Sequence, residues 1–555
     1  MSGVRPDINW LNYAAAVGVD GIAGLVLDAC ANEGGVAAAS HQGVLLPEPT
    51  GGWANPRLLG WVHEWMTSAS DRDDRGAYYT PPDFAADVVD AALRPAAGSA
   101  FGIPAFTVDP ACGGGVFLLE VLDRLVSSGV DPGPAVGAVA GLEIDPGAAR
   151  AARLAIQAWQ LLHGLYPVRP PQIVVADALG GWPRSWPEPQ LVVGNPPFAS
   201  PMKSGSVPAE AASYRNHHSE VLGPYADLAA IHLWRASQAL ADGGRLAFVA
   251  PVSIINARDT GLLWKRLETQ ADAVRVLIPA SNPFEASVQV FVPVLEMRRE
   301  ARSNRRSLAA AVGDAIGIPP VEVPLETPTL VTIANATSGF RDEFYGLAEF
   351  ASEETQSNSA QPLRKLVNVG SIDPLHCSWG QTPARFAKER WERPVVDASK
   401  LTGKVGAFVD RQNRPKVLVA TQSSILEPVV DPVGDLVGIT PTLIVTTDRP
   451  SHVAAMLLAP PVVAIAAQRW YGTGLTATAL RPTASTLVEL PLPLDQELWD
   501  QAAALVDRNT DPVDGHQSAP SAATLLEIAE LMNRAYGADA DVLRWWLERA
   551  RLTEA

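Results

Sequence analysis

Cysteine is scarce in this chain, and its scarcity excludes two ways of stabilising a fold. The three cysteines, Cys30, Cys112 and Cys377, are far apart in sequence and lack the short spacings of metal ligands. We therefore expect neither a disulfide framework nor a metal site. Reduced thiols are typical of cytoplasmic proteins, so the cytoplasm is the predicted compartment.

Long apolar runs are also lacking. The longest weakly polar run, residues 452–468, is shorter than the roughly 18 to 20 residues of a membrane span and is interrupted by Pro460 and Pro461. The N-terminal residues do not combine a basic head with an uninterrupted apolar stretch, as a signal peptide would. The sequence thus predicts no membrane partner and a protein that stays in the cytoplasm.

Positive charge is in deficit overall, but it is concentrated in one region. The net charge of −17 argues mildly against a nucleic-acid partner, because binding to phosphates requires clustered Lys and Arg. Residues 364–416, however, hold eleven Lys and Arg against five Asp and Glu, a local net charge of +6. This basic segment fits contact with a phosphate backbone, and solvated surface charge is the alternative.

The chain of 555 residues is long enough for several domains. Residues 1–72 show helical periodicity and predict a small N-terminal extension. In residues 73–305 apolar strand-like runs alternate with helical patterns, which predicts an α/β domain with a doubly wound, mostly parallel sheet. Residues 306–500 have the texture of a mixed α/β or β-rich domain, and residues 501–555 predict a linker and closing helices.

A glycine-rich turn follows the first predicted strand of the α/β domain. In FTVDPACGGGVFLLEVLDRL the strand ends at Asp109, and the turn holds Ala111, Gly113 and Gly115 before a helix begins. Glycine permits positive φ and close approach of the backbone to a ligand, and doubly wound sheets bind nucleotides at this edge. The turn therefore predicts a cofactor site, although such a turn also occurs as plain structure.

Two further strand ends carry acids. Glu143, followed by Ile144, ends the second strand, where a carboxylate can accept hydrogen bonds from both hydroxyls of a ribose. Asp177 and Ala178 end the third strand, where a short acid can accept from the exocyclic amine of an adenine. Together they predict a cofactor that contains adenosine, while a surface acid or a helix cap is the structural alternative.

The fourth strand ends in LVVGNPPF, which is the most specific pattern in the chain. Pro196 and Pro197 fix the backbone in a stiff extended turn with carbonyl groups that are free to accept. The carboxamide oxygen of Asn195 and the carbonyl of Pro196 could each accept one proton of a planar amine, and Phe198 could stack on its ring. The pattern predicts catalysis on an amino group attached to a ring.

Upstream, GAYYTPPDF precedes an amphipathic helix. Thr80 lies near the N-terminus of that helix, next to Tyr79, in a place suited to a carboxylate. We expect this segment to hold the amino-acid end of the cofactor.

In these motifs and in their order the sequence resembles the S-adenosylmethionine-dependent DNA adenine-N6 methyltransferases. GAYYTP, DPACGGGVFL, LEID, ADAL and NPPF are similar to the upstream, cofactor, ribose, adenine and catalytic motifs of that family. The resemblance covers roughly residues 75–298 and implies the gamma arrangement, in which a target-recognition domain follows the catalytic domain. Residues 73–305 would then be the methyltransferase domain and residues 306–500 the target-recognition domain, similar to those of type IIG enzymes.

The resemblance implies a role for each motif residue. The cofactor, S-adenosylmethionine, would be held by Tyr79, Thr80, Asp109, Ala111, Gly113, Gly115, Glu143, Ile144, Asp177 and Ala178. Asn195, Pro196, Pro197 and Phe198 would act on a flipped adenine, with Phe284 as a second stacking ring. The family more often has Ser or Thr where Gly114 stands, which should loosen the turn slightly without removing a ligand.

Double-stranded DNA is the partner that the resemblance implies, with a separate restriction or defence subunit as a further candidate. The chain would then belong to a restriction-modification or phage-defence system, in the cytoplasm at the nucleoid. Candidate contacts with the DNA backbone are Arg385, Lys388, Arg390, Arg411, Arg414 and Lys416.

Three other functions remain open from the sequence. The same catalytic motif would serve methylation of rRNA or of a protein glutamine, since each presents a planar amine. Cytosine N4 presents the same chemical problem as adenine N6. A DNA-binding subunit of a defence complex could keep the fold without catalysis.

Overall fold

The computed structural model describes residues 8–35, 49, 52–67, 80–198, 208–284, 288–300, 305–324, 326–339, 341–355, 363–474, 479–510 and 519–552. The chain divides into two compact units, Met1–Ala315 and Ile316–Ala555. The boundary lies ten residues after the one that the sequence predicts. The N-terminal helices belong to the first unit and the C-terminal helices to the second.

The first unit is an α/β structure. Its helices are α1 (Ile8–Glu33), α2 (Leu58–Met66), α3 (Pro82–Leu93), α4 (Val116–Ser127), α5 (Pro132–Gly137), α6 (Pro146–Leu162), α7 (Ala209–His217), α8 (Leu228–Ala239), α9 (Gly261–Glu268) and α10 (Leu308–Ala315). Its strands are β1 (Thr107–Asp109), β2 (Val139–Glu143), β3 (Gln172–Val175), β4 (Leu191–Gly194), β5 (Arg245–Phe248), β6 (Ala250–Pro251), β7 (Ala271–Leu277) and β8 (Val290–Met297). Short 3-10 helices cover Val252–Ile255 and Arg258–Thr260.

The strands pair in one sheet in the order β3-β2-β1-β4-β5-β8, and both β6 and β7 also pair with β8. Strands β1 to β5 are parallel, and β8 runs antiparallel to its neighbours. All four residues of β4 are buried, as expected for a parallel strand covered by helices on both faces. The doubly wound, mostly parallel sheet that the sequence predicts is thus confirmed.

The antiparallel strand β8 joins β5 through a buried ion pair. Arg245 and Glu296 are register partners on these strands, and Arg245 Nε donates to Glu296 Oε2 at 3.0 Å. The guanidinium also donates to the carbonyls of Ala92 and Arg94 at the end of α3. These bonds satisfy a cation that has no access to solvent, and they fix α3 against the sheet.

The second unit is mixed α/β. Its strands are β9 (Ala334–Ser338), β10 (Ala351–Glu353), β11 (Leu363–Val367), β12 (Ile372–Asp373), β13 (His376–Cys377), β14 (Ala384–Phe386), β15 (Glu389–Trp391), β16 (Pro394–Asp397), β17 (Lys416–Val419), β18 (Pro428–Asp431), β19 (Leu436–Gly438) and β20 (Leu443–Thr447). Its helices are α11 (Arg341–Ala348), α12 (Gly403–Arg411), α13 (Pro450–Leu458), α14 (Pro460–Arg469), α15 (Ala484–Leu487), α16 (Gln496–Thr510), α17 (Ala522–Ala535) and α18 (Ala540–Arg549). Further 3-10 helices cover Leu330–Thr332, Val369–Ser371 and Ala398–Lys400.

Two four-stranded sheets organise this unit, in the orders β10-β16-β11-β19 and β18-β17-β20-β9, and β12–β13 and β14–β15 form separate hairpins. The closing helices pack in an apolar core with the side chains of Trp499 and Trp546. This architecture agrees with the predicted mixed α/β domain and C-terminal helices.

The apolar run of residues 452–468 forms α13 and α14, which are bent by 66° at their junction and are almost completely buried. In the part of the chain that the structure describes, no single helix has the length and apolarity needed to cross a membrane; this bent pair passes that test only when its two helices are taken together. The two helices are buried to the extent that is typical of helices in a protein core.

Candidate active site

The strand order reverses between β1 and β4, and doubly wound sheets form a crevice at the carboxyl ends of strands at such a point. Strand β1 lies between β2 and β4. Asp109 and Glu143 are the last residues of β1 and β2, and Asn195 follows β4, so the three residues lie at the same edge of the sheet. Doubly wound sheets bind ligands at this switch point. The structure therefore brings together the three motifs that were predicted from separate parts of the sequence.

The glycine turn is organised by backbone hydrogen bonds to Glu143. Gly113 and Gly115 have φ values of 51° and 90°, which favour glycine, and Gly113 N donates to Glu143 Oε2 at 2.8 Å. Glu143 Oε1 accepts from Asp145 N at 2.8 Å. A side chain at Gly113 would meet no atom within 4 Å, so the turn borders open space. A ligand could approach the backbone closely here, beside a carboxylate that is already oriented.

Asp109 is the most buried acid of the site. Its side chain is 0% exposed, Oδ1 accepts from Ala111 N at 3.0 Å, and Oδ2 has no hydrogen-bond partner among the described residues. Burial raises the pKa of Asp109 to about 8, with a smaller contribution in the same direction from Glu143, while the Ala111 hydrogen bond acts against it. A cationic ligand group would offset the cost of burying this carboxylate.

The residues predicted to contact an adenine ring differ in exposure. Ile144 is 63% exposed and lies directly after Glu143. Asp177 accepts a hydrogen bond from Leu179 N through Oδ1 at 2.8 Å, whereas the Ala178 side chain is buried beside Phe106. Ile144 and Asp177 are thus open to a ligand, and a contact from Ala178 would be limited to its backbone.

Asn195 is held by a residue from the upstream motif. Its Nδ2 donates to Thr80 Oγ1 at 3.0 Å, although the two residues are 115 positions apart in sequence. Thr80 is 5% exposed and precedes α3 by two residues. Tyr79 lies outside the described residues, so of the two residues of this motif that were predicted to hold the cofactor only Thr80 is located.

The two candidate stacking rings lie in the apolar core of the first unit. Phe198 is 8% exposed and Phe284 is 9% exposed, and both pack in the same cluster of buried side chains. The Phe284 ring contacts Phe84 edge to face, with ring centroids 6.0 Å apart. Stacking on a base would require these rings to be uncovered, and their role in stacking stays a prediction.

The basic segment of the second unit contains both exposed and internally paired cations. Arg364 pairs with Asp435, and Arg393 with Glu354. Of the six predicted DNA contacts, all except Lys416 have exposed side chains: Arg385, Lys388, Arg390, Arg411 and Arg414. The net charge of the segment therefore overstates the number of cations that are free to bind phosphate.

Lys416 corrects one prediction. Its side chain is 0% exposed, and Nζ donates to the Asp431 carboxylate and to the Gln412 carbonyl. Lys416 and Asp431 are register partners on β17 and β18. Lys416 therefore cannot contact a DNA phosphate in this fold, because its charge is neutralised inside the unit.

The hairpin of β14 and β15 carries three of the exposed cations. Arg385 and Arg390 are opposite each other across the two strands, and Lys388 lies in the turn. Ala387 and Lys388 have φ values of 53° and 68°, as a two-residue hairpin turn requires, although neither is glycine. Like charges placed directly opposite on a hairpin are destabilising, and Glu392, which pairs with Arg390 at 3.6 Å, offsets only part of this repulsion.

Residues 55–307 match a family model that is described as N-6 DNA Methylase. Over these residues, a little under half of the chain, the sequence is similar to the N-6 DNA methylases. The match includes the glycine turn, the three acids and the Asn195 motif, in agreement with the family that the sequence resembles.

Solved structures give the fold of the methylase domain and its surroundings. The type IIL restriction-modification enzyme MmeI, solved in complex with DNA, is 14% identical with a TM-score of 0.54, over 90% of this chain and 82% of that one. The type I methyltransferase subunit from Streptococcus thermophilus is 25% identical with a TM-score of 0.33, over 45% of this chain and 50% of that one. The similarity to MmeI shows that the two chains share a fold over most of their lengths. No curated protein matches the chain.

The family match begins at residue 55, inside the predicted N-terminal extension, and so includes α2. Gly60 of α2 faces Gly114 of the glycine turn so closely that a Cβ atom on Gly114 would lie 2.5 Å from Gly60 Cα. Arg57 at the start of α2 forms ion pairs with Glu120 and Asp123 of α4. Sequence reasoning placed α2 in a separate extension, because nothing local indicates that its glycine contacts a turn more than 50 residues away.

Proposed function

We propose that this chain is a site-specific DNA methyltransferase that uses S-adenosylmethionine to methylate adenine N6. The observation that carries the proposal is the position of Asn195-Pro196-Pro197-Phe198 beside the Asp109 and Glu143 crevice, within residues that match the N-6 DNA methylase family. Its biological setting would be a restriction-modification or phage-defence system, in the cytoplasm at the nucleoid, with a restriction or defence subunit as a possible second chain.

The residues of the crevice fit the proposed cofactor. Glu143 is oriented by two backbone N–H groups and keeps acceptor capacity for ribose hydroxyls. The open space at Gly113 admits a ligand, and the buried Oδ2 of Asp109 would gain a cationic neighbour. When bound, S-adenosylmethionine supplies an electrophilic sulfonium methyl group.

The catalytic residues would act by orientation and by acceptance of protons. The target adenine leaves the duplex, at an unstacking cost of a few kcal/mol, because its amine is otherwise paired and out of reach. Asn195 Oδ1 and the Pro196 carbonyl would accept the two N–H groups and favour a nitrogen whose lone pair points at the methyl group. A strong general base is not needed, since the proton leaves during or after transfer.

Methylation-aware sequencing tests the proposal. Host DNA carrying the intact gene should contain N6-methyladenine in one sequence motif, and DNA from a host with the Asn195→Ala variant or an empty vector should not. Absence of the modified motif in the intact strain contradicts DNA methylation, and N4-methylcytosine in its place contradicts the choice of adenine. Labelled cofactor incubated with purified DNA, RNA and protein would then separate the remaining substrates.

DNA contact by the β14–β15 hairpin gives a salt-dependent prediction. Replacing Arg385, Lys388 and Arg390 together with glutamine should reduce the slope of log affinity against log salt by roughly 2 to 3, because each phosphate contact contributes about 0.9. Fluorescence anisotropy of labelled duplex DNA at several salt concentrations measures the slope.

A matched control removes the same charge elsewhere in the second unit. Arg508, Arg534 and Arg544 are exposed on α16, α17 and α18, so their triple glutamine variant has the same net charge. The slope should stay close to that of the wild type in this control. If the slope fell equally in the two triple variants, the hairpin would act only through the overall charge of the protein.

The raised pKa of Asp109 predicts that cofactor affinity depends on pH. If the ionised carboxylate binds the cationic cofactor, binding releases a proton wherever Asp109 is protonated in the free protein. Affinity should then rise about tenfold for each pH unit up to about pH 8 and level off above it. Calorimetry with S-adenosylmethionine between pH 6 and pH 9 measures this dependence.

The Asp109→Asn variant separates this effect from titration of the cofactor itself. The amino group of the cofactor titrates equally in the wild type and in the variant, so the ratio of the two affinities reports on Asp109 alone. A ratio that does not change with pH would contradict the prediction.

A further inference from the structure

Thr80 is placed to control the orientation of the Asn195 side chain. Its hydroxyl accepts from Asn195 Nδ2 at 3.0 Å, in a position that is 5% exposed. Rigid backbone holds both ends of this bond, because Pro81 and Pro82 follow Thr80, and Pro196 and Pro197 follow Asn195. The hydrogen bond therefore joins two segments that have little freedom to move apart.

A carboxamide has a donor end and an acceptor end, and only one of them suits an amine. An adenine amine brings two N–H donors and needs acceptors. If the Asn195 side chain turned over, its NH2 group would face the N–H groups of the base and repel them. Because Nδ2 donates to Thr80, the donor end of the carboxamide is turned to Thr80 and the acceptor end, Oδ1, is turned away from it.

We propose that Thr80 is a positioning residue that holds the Asn195 carboxamide with its oxygen toward the target amine. The inference rests on the proposed function and deepens it. It differs from the role implied by family resemblance, in which Thr80 contacts the cofactor. A threonine hydroxyl that accepts from Asn195 still has its own proton to donate, so the two roles are separate and can be measured separately.

The main test replaces Thr80 with valine, which keeps the shape and removes the hydroxyl, and with serine, which keeps the hydroxyl. With a duplex that contains the methylated motif, Thr80→Val should lower kcat by roughly 10- to 100-fold at saturating cofactor, as misplacement of a catalytic group does. Thr80→Ser should stay near the wild type. Affinity for S-adenosylhomocysteine, measured by calorimetry, should not change.

A double-mutant cycle shows whether Thr80 acts through Asn195. In the Asn195→Ala background the Thr80→Val change should have no further effect on kcat, because the group that it positions is gone. If the double variant lost kcat by the product of the two separate losses, the inference would be overturned. A lower affinity for S-adenosylhomocysteine with an unchanged kcat would also overturn it and would identify Thr80 as a cofactor contact.

A binding measurement without cofactor compares duplexes that differ only in the target base. The wild type should bind a duplex with adenine at the target position roughly fivefold more tightly than one with unsubstituted purine, which lacks the amine. Thr80→Val should bring this ratio close to one. A ratio that stays at the wild-type value in Thr80→Val would contradict the inference.

Thr260 provides a control for the loss of any buried hydroxyl. It is 0% exposed, and its hydroxyl donates to the carbonyl of Ile254 at 2.7 Å. Thr260→Val should lower the melting temperature without changing kcat or the adenine-to-purine ratio. If the wild type itself methylates no DNA, the proposed function fails and this inference fails with it, whereas an active wild type with an equally active Thr80→Val variant refutes the inference alone.

Discussion

Replacing Lys416 with methionine is expected to lower the free energy of unfolding of the second unit by about 3–5 kcal/mol. The two charges of the Lys416–Asp431 pair are 0% and 2% exposed, so the carboxylate would be left without its cation in a place that water does not reach. Asp431 keeps hydrogen bonds from the backbone N–H groups of Gly434, Asp435 and Leu436, which soften the loss but do not neutralise the charge.

Urea unfolding combined with hydrogen exchange measures this loss and assigns it to a unit. Peptides that cover β17 and β18 should exchange earlier in the variant, and peptides that cover β1 and β4 should not. Arg414→Met removes an exposed cation two residues away and should change stability by less than about 0.5 kcal/mol. If Lys416→Met unfolds at the same urea concentration as Arg414→Met, the pair does not stabilise the unit as argued.

The misassignment of Lys416 shows what a local charge count leaves out. The excess of Lys and Arg in residues 364–416 is visible in the sequence, but burial depends on which strand lies beside β17. Asp431 is 15 positions from Lys416 and becomes its neighbour only when β17 pairs with β18. The exposed hairpin cations and the buried lysine therefore look alike until the strand register is known.

The catalytic edge was predictable because its parts are local. Each motif combines an apolar run that forms a strand with the polar residue that ends it, and the carboxyl ends of parallel strands meet at one edge of the sheet. Asp109, Glu143 and Asn195 could therefore be assigned to one site before the strand order was known.

The contacts that support this edge were not predictable, because they join distant segments. Thr80 bonds Asn195 across 115 positions, and Arg245 pairs with Glu296 through strand register. Neither bond has a sequence signature, since a threonine before a helix or an arginine in a strand has many other uses. The sequence thus indicates which residues could react and leaves open what holds them in place.

Replacement of Gly114 is the second change for which we expect a large effect. Replacing it with serine, the residue type more common in the resembled family, should lower the stability of the first unit by about 1–3 kcal/mol and weaken binding of S-adenosylmethionine. A Cβ atom at this position would lie 2.5 Å from Gly60 Cα, and no flexible side chain is present to yield. Either α2 or the glycine turn must move. Urea unfolding and calorimetry measure the two losses.

The distances between the two glycines also predict which substitution destabilises the first unit more. A Cβ atom on Gly60 would lie 3.2 Å from Gly114 Cα, a less severe overlap, so Gly60→Ala should cost less than Gly114→Ala. Gly102→Ala meets no atom within 4 Å and serves as the neutral control. Amide exchange in residues 58–66 measures whether α2 moves in addition to the glycine turn, whose displacement is what lowers the affinity for the cofactor. Equal stability of the Gly114 and Gly102 variants would mean that close packing of α2 on the turn is not what requires glycine there.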